Sequence, residues 1–342
     1  MELSGRKINI SKKPLVIAEI GINHGGDLEV AKNMVFLAAK SGVECIKHQT
    51  HFVEDEMTEE AKNIYPPHMK ESIWDLIANC ALSKDEEIEL KKFTEDLGVI
   101  YISTPFSRSA ADFLNDIGVP GFKVGSGEAN NIPLLRHIAE FKKPIILSTG
   151  MNSIQSIKKS VEIIENANVE YGLLECTNLY PTPPNIVSLK GIKELQKHFP
   201  KATVGFSDHS IGPSMAIAAV ALGATIIERH FTDNRYRKGP DIVCSMDPAE
   251  LRFLIDRSKE IHSAINNPKE RTKEEESVYE FARGSIVADR FLPKGTKVTE
   301  KDIWARRPGN GEIPAYNFDK VIGRILNRDV SINTQLEWKF FE

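Results

Sequence analysis

Eight short apolar runs punctuate residues 15–231, and a longer stretch of helical character separates each from the next. The runs are 15–20 (LVIAEI), 44–49 (ECIKHQ), 99–104 (VIYIST), 121–126 (GFKVGS), 144–149 (PIILST), 171–177 (YGLLECT), 203–208 (TVGFSD) and 225–231 (TIIERHF). Between them, residues 28–42 space their apolar side chains three and four apart and stop at Gly42. Residues 84–98 begin acidic and stop at Gly98, as a helix dipole and its C-terminal cap require. Strand and helix alternating eight times in about 250 residues predict a parallel (β/α)8 TIM barrel, an α/β fold. An open doubly wound sheet is the competing architecture. It lacks its usual mark, because EIGINHGG after the first run matches Gly-x-Gly-x-x-Gly only loosely.

A barrel of this kind places its active site at the carboxyl ends of the strands. Those ends are where this sequence turns polar. Glu19 ends run one, and Lys47 with Gln49 ends run two. Then come Ser103 and Thr104; Lys123, Ser126 and Glu128; Ser148; Asn178 and Tyr180; Ser207 and His209; and Glu228 and His230. Any one polar strand end is ordinary, but eight at the same end of a closed sheet describe a mouth lined with chemistry.

His209 and His230 belong to neighbouring strands, about 4.8 Å apart. Two imidazoles so placed reach one ion through bonds of about 2.1 Å. With only two protein nitrogens, water and substrate complete the shell, which favours an exchangeable Lewis-acidic ion over a closed structural zinc. Mn2+ is the expected metal, with Mg2+, Co2+ and Zn2+ as alternatives. His48 and His51 compete for the role. Side chains alternate along a strand, so His48 faces the helices if Lys47 and Gln49 face the mouth. His51 is left to line the mouth, and His24 in the first loop stays open. His68, His137, His198 and His262 read as surface residues.

Lys47 and Lys123 interrupt apolar runs, and a lysine inside a barrel needs an anionic partner. That partner is either an internal carboxylate, Glu19 or Glu128, or a bound anion. Thr104, Ser126, Ser148, Asn178 and Ser207 surround the lysines with short polar groups. The set suits a phosphate beside a carboxylate, and GSGE at 125–128 adds backbone N–H groups. Glu19, Glu128 and Asp241 are candidates to bind sugar hydroxyls or move protons. Asp241 sits in a polar loop after the last run, placed to fold over the mouth.

Composition narrows the classes. The 44 basic and 48 acidic residues leave a net charge of −4 without a single-sign field, which argues against nucleic acid as a partner. No run approaches the roughly 18 apolar residues of a membrane span, and none reads as a signal peptide. Cys45, Cys80, Cys176 and Cys244 stand far apart with no Cys-x-x-Cys pair. A reducing, cytoplasmic setting is expected.

These motifs resemble the N-acetylneuraminate (sialic acid) synthases. The likeness is carried by EIGINH, IKHQTH, VEDEM, STPFSR, KVGSGE, ILSTGMNSI, CTNLYPTP, SDHS, ERHFTD, GPDIVCSMDP and, near the C-terminus, DIWARRPGNG. It implies a (β/α)8 barrel over 1–265, a linker over 266–281 and a small antifreeze-like (SAF) domain over 282–342. It implies condensation of phosphoenolpyruvate with N-acetylmannosamine and release of phosphate. Carried over by motif, His209 and His230 hold the metal. Lys47, Thr104, Lys123, Ser126, Ser148, Asn178 and Ser207 surround phosphoenolpyruvate. Glu19, Gln49, Glu128, Tyr180 and Asp241 serve the acceptor sugar and the proton or water steps. Arg307 reaches the partner's barrel in a domain-swapped homodimer. The departures are Gly25, Glu175 and Arg306, where the resembled family often has asparagine or glutamate, histidine and lysine. The same chemistry on a 2,4-diacetamido-6-deoxyhexose, giving legionaminic or pseudaminic acid, is the nearest alternative. A metal-dependent hydrolase and a sugar-binding protein are the alternatives of other classes.

Overall fold

A computed structural model describes residues 1–65 and 70–342; the expectation for His68 falls outside the described residues. Eight parallel strands close into a barrel. They are β1 Leu15–Gly21, β2 Cys45–Thr50, β3 Ile100–Pro105, β4 Phe122–Val124, β5 Ile145–Ser148, β6 Tyr171–Cys176, β7 Thr203–Asp208 and β8 Ile226–His230. β8 pairs with β1, with His230 opposite Glu19 and Glu228 opposite Ile17. The outer ring is α1 Leu28–Lys40, α2 Lys84–Asp96, α3 Arg108–Asp116, α4 Ile132–Glu140, α5 Ile154–Asn166, α6 Leu189–His198, α7 Ser214–Ala221 and α8 Pro248–Ile265.

The helix signals act as their chemistry requires. Asp27 caps α1 by accepting from the N–H groups of Glu29 and Val30. Ser83 and Glu86 form a reciprocal capping box on α2. Gly42 and Gly98 follow these helices with φ of 91° and 74°, a region glycine enters without steric cost.

Alternation along each strand sorts the side chains into two layers. Outward residues such as Val16, Ile46, Tyr101, Phe122, Leu147, Leu173, Phe206 and Ile227 pack against the helices. Inward residues change character along the barrel axis. Leu15, Ile17, Cys45, Ile102, Ile146, Leu174 and Ile226 fill the amino-terminal half. Lys47, Gln49, Thr104, Lys123, Ser148, Cys176, Ser207, Glu228 and His230 line the carboxyl-terminal half. An apolar floor therefore stands under a polar mouth.

A short hairpin pairs Glu2–Leu3 with Arg6–Lys7 ahead of the barrel. Its Leu3, with Ile8, closes the floor.

The chain divides into two compact units, Met1–Asn267 and Pro268–Glu342. In the second, β9 Ser285–Ala288 pairs antiparallel with β10 Ile303–Arg306. Ile286, Leu292, Val298, Ile303, Leu326, Val330 and Leu336 are among its core residues. Within the expected linker, Glu276–Ala282 forms a helix with no buried residue. All four cysteines are buried free thiols. Among the described residues no helix is long and apolar enough to cross a membrane.

Candidate active site

At the centre of the mouth two lysines flank one carboxylate. Glu228 Oε1 lies 3.7 Å from Lys123 Nζ and 3.8 Å from Lys47 Nζ. Lys47 also pairs with Glu19 Oε2 at 2.7 Å and donates to Thr104 Oγ1 at 3.3 Å. Lys123 donates to Ser148 Oγ at 2.7 Å, and Ser207 donates to Glu228 Oε1 at 3.3 Å. Every one of these side chains is buried. Burial drives the carboxyl of Glu19 up to about 7, against the opposing pull of Lys47. Burial also works against charge on Glu228, but Lys123 and Lys47 outweigh it and hold its acidity below the ordinary carboxylate value. For Lys47 burial is outweighed by Glu19 and Glu228, so the ammonium is strengthened. For Lys123 burial wins and weakens it. The internal partner foreseen for Lys47 is thus Glu19. Glu128 forms no ion pair with either lysine among the described residues.

His209 and His230 meet beside this cluster, their ring centroids 5.5 Å apart. The His209 Nδ1 lies 2.9 Å from the Thr177 carbonyl, so it carries the hydrogen and leaves the Nε2 lone pair free. His230 Nδ1 is buried without a hydrogen-bond partner, 3.5 Å from Asp241 Oδ2. Burial, with the neighbouring His230, lowers His209 to about 4; burial, with Lys47, lowers His230 to about 3. Both rings are therefore neutral near pH 7 and have lone pairs to give. The ring of Tyr180 packs on His209 at 4.1 Å and meets His230 edge-on at 5.7 Å. Asp241 is pushed up to about 6 by burial, against His209 and Lys47. No cluster of three or more His, Cys, Asp and Glu side chains suited to a metal occurs among the described residues. The orphaned nitrogen and the two neutral rings fit an ion that keeps open positions.

Above these groups opens a cleft of about 420 Å³. Gly125, Ser126 and Gly127 form one side, and Ser126 Oγ accepts from the Gly150 N–H at 3.0 Å. Asn178 accepts from the Cys176 thiol at 3.2 Å. Glu128 lines the cleft, its carboxyl raised by burial. Ile73, Ile77, Phe106 and Met151 supply an apolar wall, and Gln49, His51 and Glu56 a polar one.

The profile described as the NeuB family matches residues 34–270, and that of the SAF domain matches residues 283–342. The chain belongs to the NeuB family. It is 36% identical to the N,N'-diacetyllegionaminic acid synthase of Campylobacter jejuni, over 93% of this chain and 97% of that one. It is 35% identical to the human N-acetylneuraminate-9-phosphate synthase, over 86% of this chain and 83% of that one. The crystal structure of a sialic acid synthetase from Leptospira borgpetersenii in complex with citrate superposes with a TM-score of 0.75, at 30% identity, covering 82% and 95% of the two chains.

In this NeuB-family barrel, fourteen of the fifteen residues singled out from sequence lie in the first unit. Twelve of them line one cleft; the other two are Glu19, fully buried beneath Gln49 and Lys47, and Asp241, which reaches His230 from its loop. Arg307, the fifteenth, belongs to the C-terminal unit, where its guanidinium stands 5.8 Å from the Phe281 ring centroid. Ser103, at a strand tip, faces outward and bonds Thr50 at 2.7 Å. His48 faces the helix layer as alternation requires, 3.2 Å from His24. Glu175 also points outward, against α6 at Gly191. Glu228 was noted only as a strand-end residue, although its place two before His230 puts it on the same face. The pairing of His51 with Glu56 went unseen because the short helix Val53–Glu56 makes it.

Proposed function

We propose that the protein condenses phosphoenolpyruvate with N-acetylmannosamine in its open-chain form, giving N-acetylneuraminate and phosphate. The observation that carries this reading is the pair of ammonium groups around Glu228 beside two neutral imidazoles, all at one mouth. A hydrolase would have no use for two buried lysines arranged in this way, and family membership favours a synthase.

C3 of phosphoenolpyruvate forms a bond to the aldehyde carbon, and the electron demand falls on C2. Water adds at C2 and loses a proton, and the former aldehyde oxygen gains one as it becomes a hydroxyl. The resulting tetrahedral centre collapses, the C2–O bond to phosphorus breaks, and phosphate departs as the keto group forms. Lys47 and Lys123 hold the phosphate and carboxylate throughout, helped by Thr104, Ser126, Ser148, Asn178 and Ser207. Glu19, raised to about 7 by burial, is the group that exchanges a proton near neutrality, and Glu128, also raised by burial, helps it stabilise positive character at C2. Gln49, Tyr180 and Asp241 orient the sugar. When bound by His209 and His230, a divalent ion, Mn2+ with Mg2+ or Co2+ as alternatives, supplies Lewis acidity at the aldehyde oxygen. In the proposed domain-swapped homodimer, Arg307 of the second copy contacts the N-acyl carbonyl.

The apolar wall of Ile73, Ile77, Phe106 and Met151 favours a second acceptor, a 2,4-diacetamido-6-deoxyhexose. Its extra methyl groups would find contacts there that sugar hydroxyls would not, and the Campylobacter relative points the same way. Purified protein with phosphoenolpyruvate, Mn2+ and each sugar in turn should release phosphate with one of them. Silence with every N-acylated amino sugar would sink the proposal. Chelation, or His209→Ala, should abolish release; turnover surviving both would remove the metal from the account.

A further inference from the structure

The polar wall of the cleft contains a chain of contacts that the proposed steps leave unused. His51 follows β2 and stacks on Phe106, centroids 4.4 Å apart and planes 13° from parallel. Its Nδ1 lies 2.8 Å from Glu56 Oε2, and its Nε2 lies 3.1 Å from Gln49 Oε1. Both partners are acceptors. An ionised carboxylate has no hydrogen to offer. The Gln49 amide is oriented by its other end, where Nε2 donates to Glu19 Oε1 at 2.7 Å. A neutral imidazole has one N–H and one lone pair, so one of its nitrogens would face an oxygen with nothing between them. A ring with hydrogen on both nitrogens satisfies both contacts, one of them charge-assisted. The side chains of His51 and Glu56 are only 2% and 13% exposed, so water has little room to take either partner's place.

We infer that His51 is a positioning residue that carries hydrogen on both ring nitrogens and fixes which end of the Gln49 amide faces Glu19. Should the ring lose a hydrogen, the amide would gain by turning over and offering its NH2 to His51. The turned amide would then set its carbonyl against Glu19, oxygen against oxygen while that carboxyl is ionised, and would so favour its protonated form. Glu56 at the rim thereby governs, through one chain of hydrogen bonds, a carboxyl in the barrel interior. Glu128 and His24 also stand within electrostatic reach of His51. The kinetic consequence rests on the function proposed above; the hydrogen count on the ring does not.

Nitrogen-15 spectra of the histidine-labelled full-length protein test the count, with His51→Asn assigning the ring. Near neutral pH both His51 nitrogens should show the shift of protonated nitrogens, and Glu56→Gln should convert one of them to the unprotonated form. An unprotonated nitrogen in the unsubstituted protein overturns the inference. In steady-state assays Glu56→Gln should lower turnover about tenfold, through kcat rather than through KM for phosphoenolpyruvate, because Glu19 and not the lysines is disturbed. An unchanged kcat in a variant whose ring has lost a hydrogen overturns the positioning role. If the unsubstituted enzyme turns over no sugar, the proposed function fails, and the spectra still decide the ring.

Discussion

Lys123 sets the charge balance of the deep cleft. It is the foremost countercharge to Glu228, ahead of Lys47. Lys123→Met would leave Glu228 facing Lys47 alone and remove one of the two ammonium groups offered to a trianionic substrate. Loss of a fixed charge of this kind costs about 10²–10³-fold in kcat/KM. The loss should be read in phosphate release, with circular dichroism confirming that the barrel remains. A variant within a few-fold of the parent would remove Lys123 from the anion site. His24 permits a test of different sign. Burial, with His48 beside it, lowers its proton affinity from the ordinary 6.5 to about 3. Between those values the unfolded chain holds the proton and the folded chain refuses it, so stability falls as pH falls from 6.5. His24→Gln should flatten that decline by up to about 1.4 kcal/mol per pH unit. Urea unfolding at several pH values measures it, and parallel curves for the two proteins would contradict it. Both residues show what was legible at this scale. An inward lysine announces itself by breaking an apolar run. His24 gave no such sign, because its partner His48 comes from the next strand and is itself held by Glu87 from a helix farther along the chain.

At the scale of elements, strands longer than three residues were readable, because alternation repeats often enough within them to show. The two-residue strands of the N-terminal hairpin repeat nothing, and they were not foreseen. The short helices Val53–Glu56 and Ile73–Cys80 were missed for a related reason: they interrupt one long connection between β2 and α2. Their absence from the sequence reading hid the apolar wall and the Glu56 contact. β7 provides the element-scale prediction. Gly205 sits where a Cβ would come within 2.5 Å of the Ile226 carbonyl and of a Leu174 methyl. Adjacent strands and the floor of the barrel close on this point, and the backbone has no direction in which to yield. Gly205→Val should therefore destabilise the barrel by about 3 kcal/mol, at the upper end of what overpacking usually costs. Thermal unfolding measures it. A variant as stable as its parent would show that β7 is not held as tightly as its register implies.

At the scale of the whole molecule, the two units have separate cores, and the residues proposed for catalysis are divided between them. All but Arg307 belong to Met1–Asn267, and Arg307 belongs to Pro268–Glu342. Compositional change near residue 266 made a second unit readable, but no pattern in one chain can reveal what a second copy contributes. The rim of the mouth offers a physical reason for a cover. Met151 is 74% exposed and Ile211 67%, with Leu179, Ile186 and Val243 also open, on the loops after β5, β6, β7 and β8. If a second copy supplies the cover and its Arg307, two defects in different chains should complement. A heterodimer can be assembled from one Lys123→Met chain and one Arg307→Ala chain, isolated through two different tags. Under sharing, the barrel with intact Lys123 receives the intact Arg307 of the other chain, while the second site carries both defects. One site of two then works, and turnover per dimer should approach about half that of the unsubstituted enzyme. If each chain uses its own arginine, neither site is whole, and the heterodimer should do no better than the average of the two defective homodimers. That outcome would remove the shared site, while the lysine and histidine cluster inside each barrel would stand unchanged.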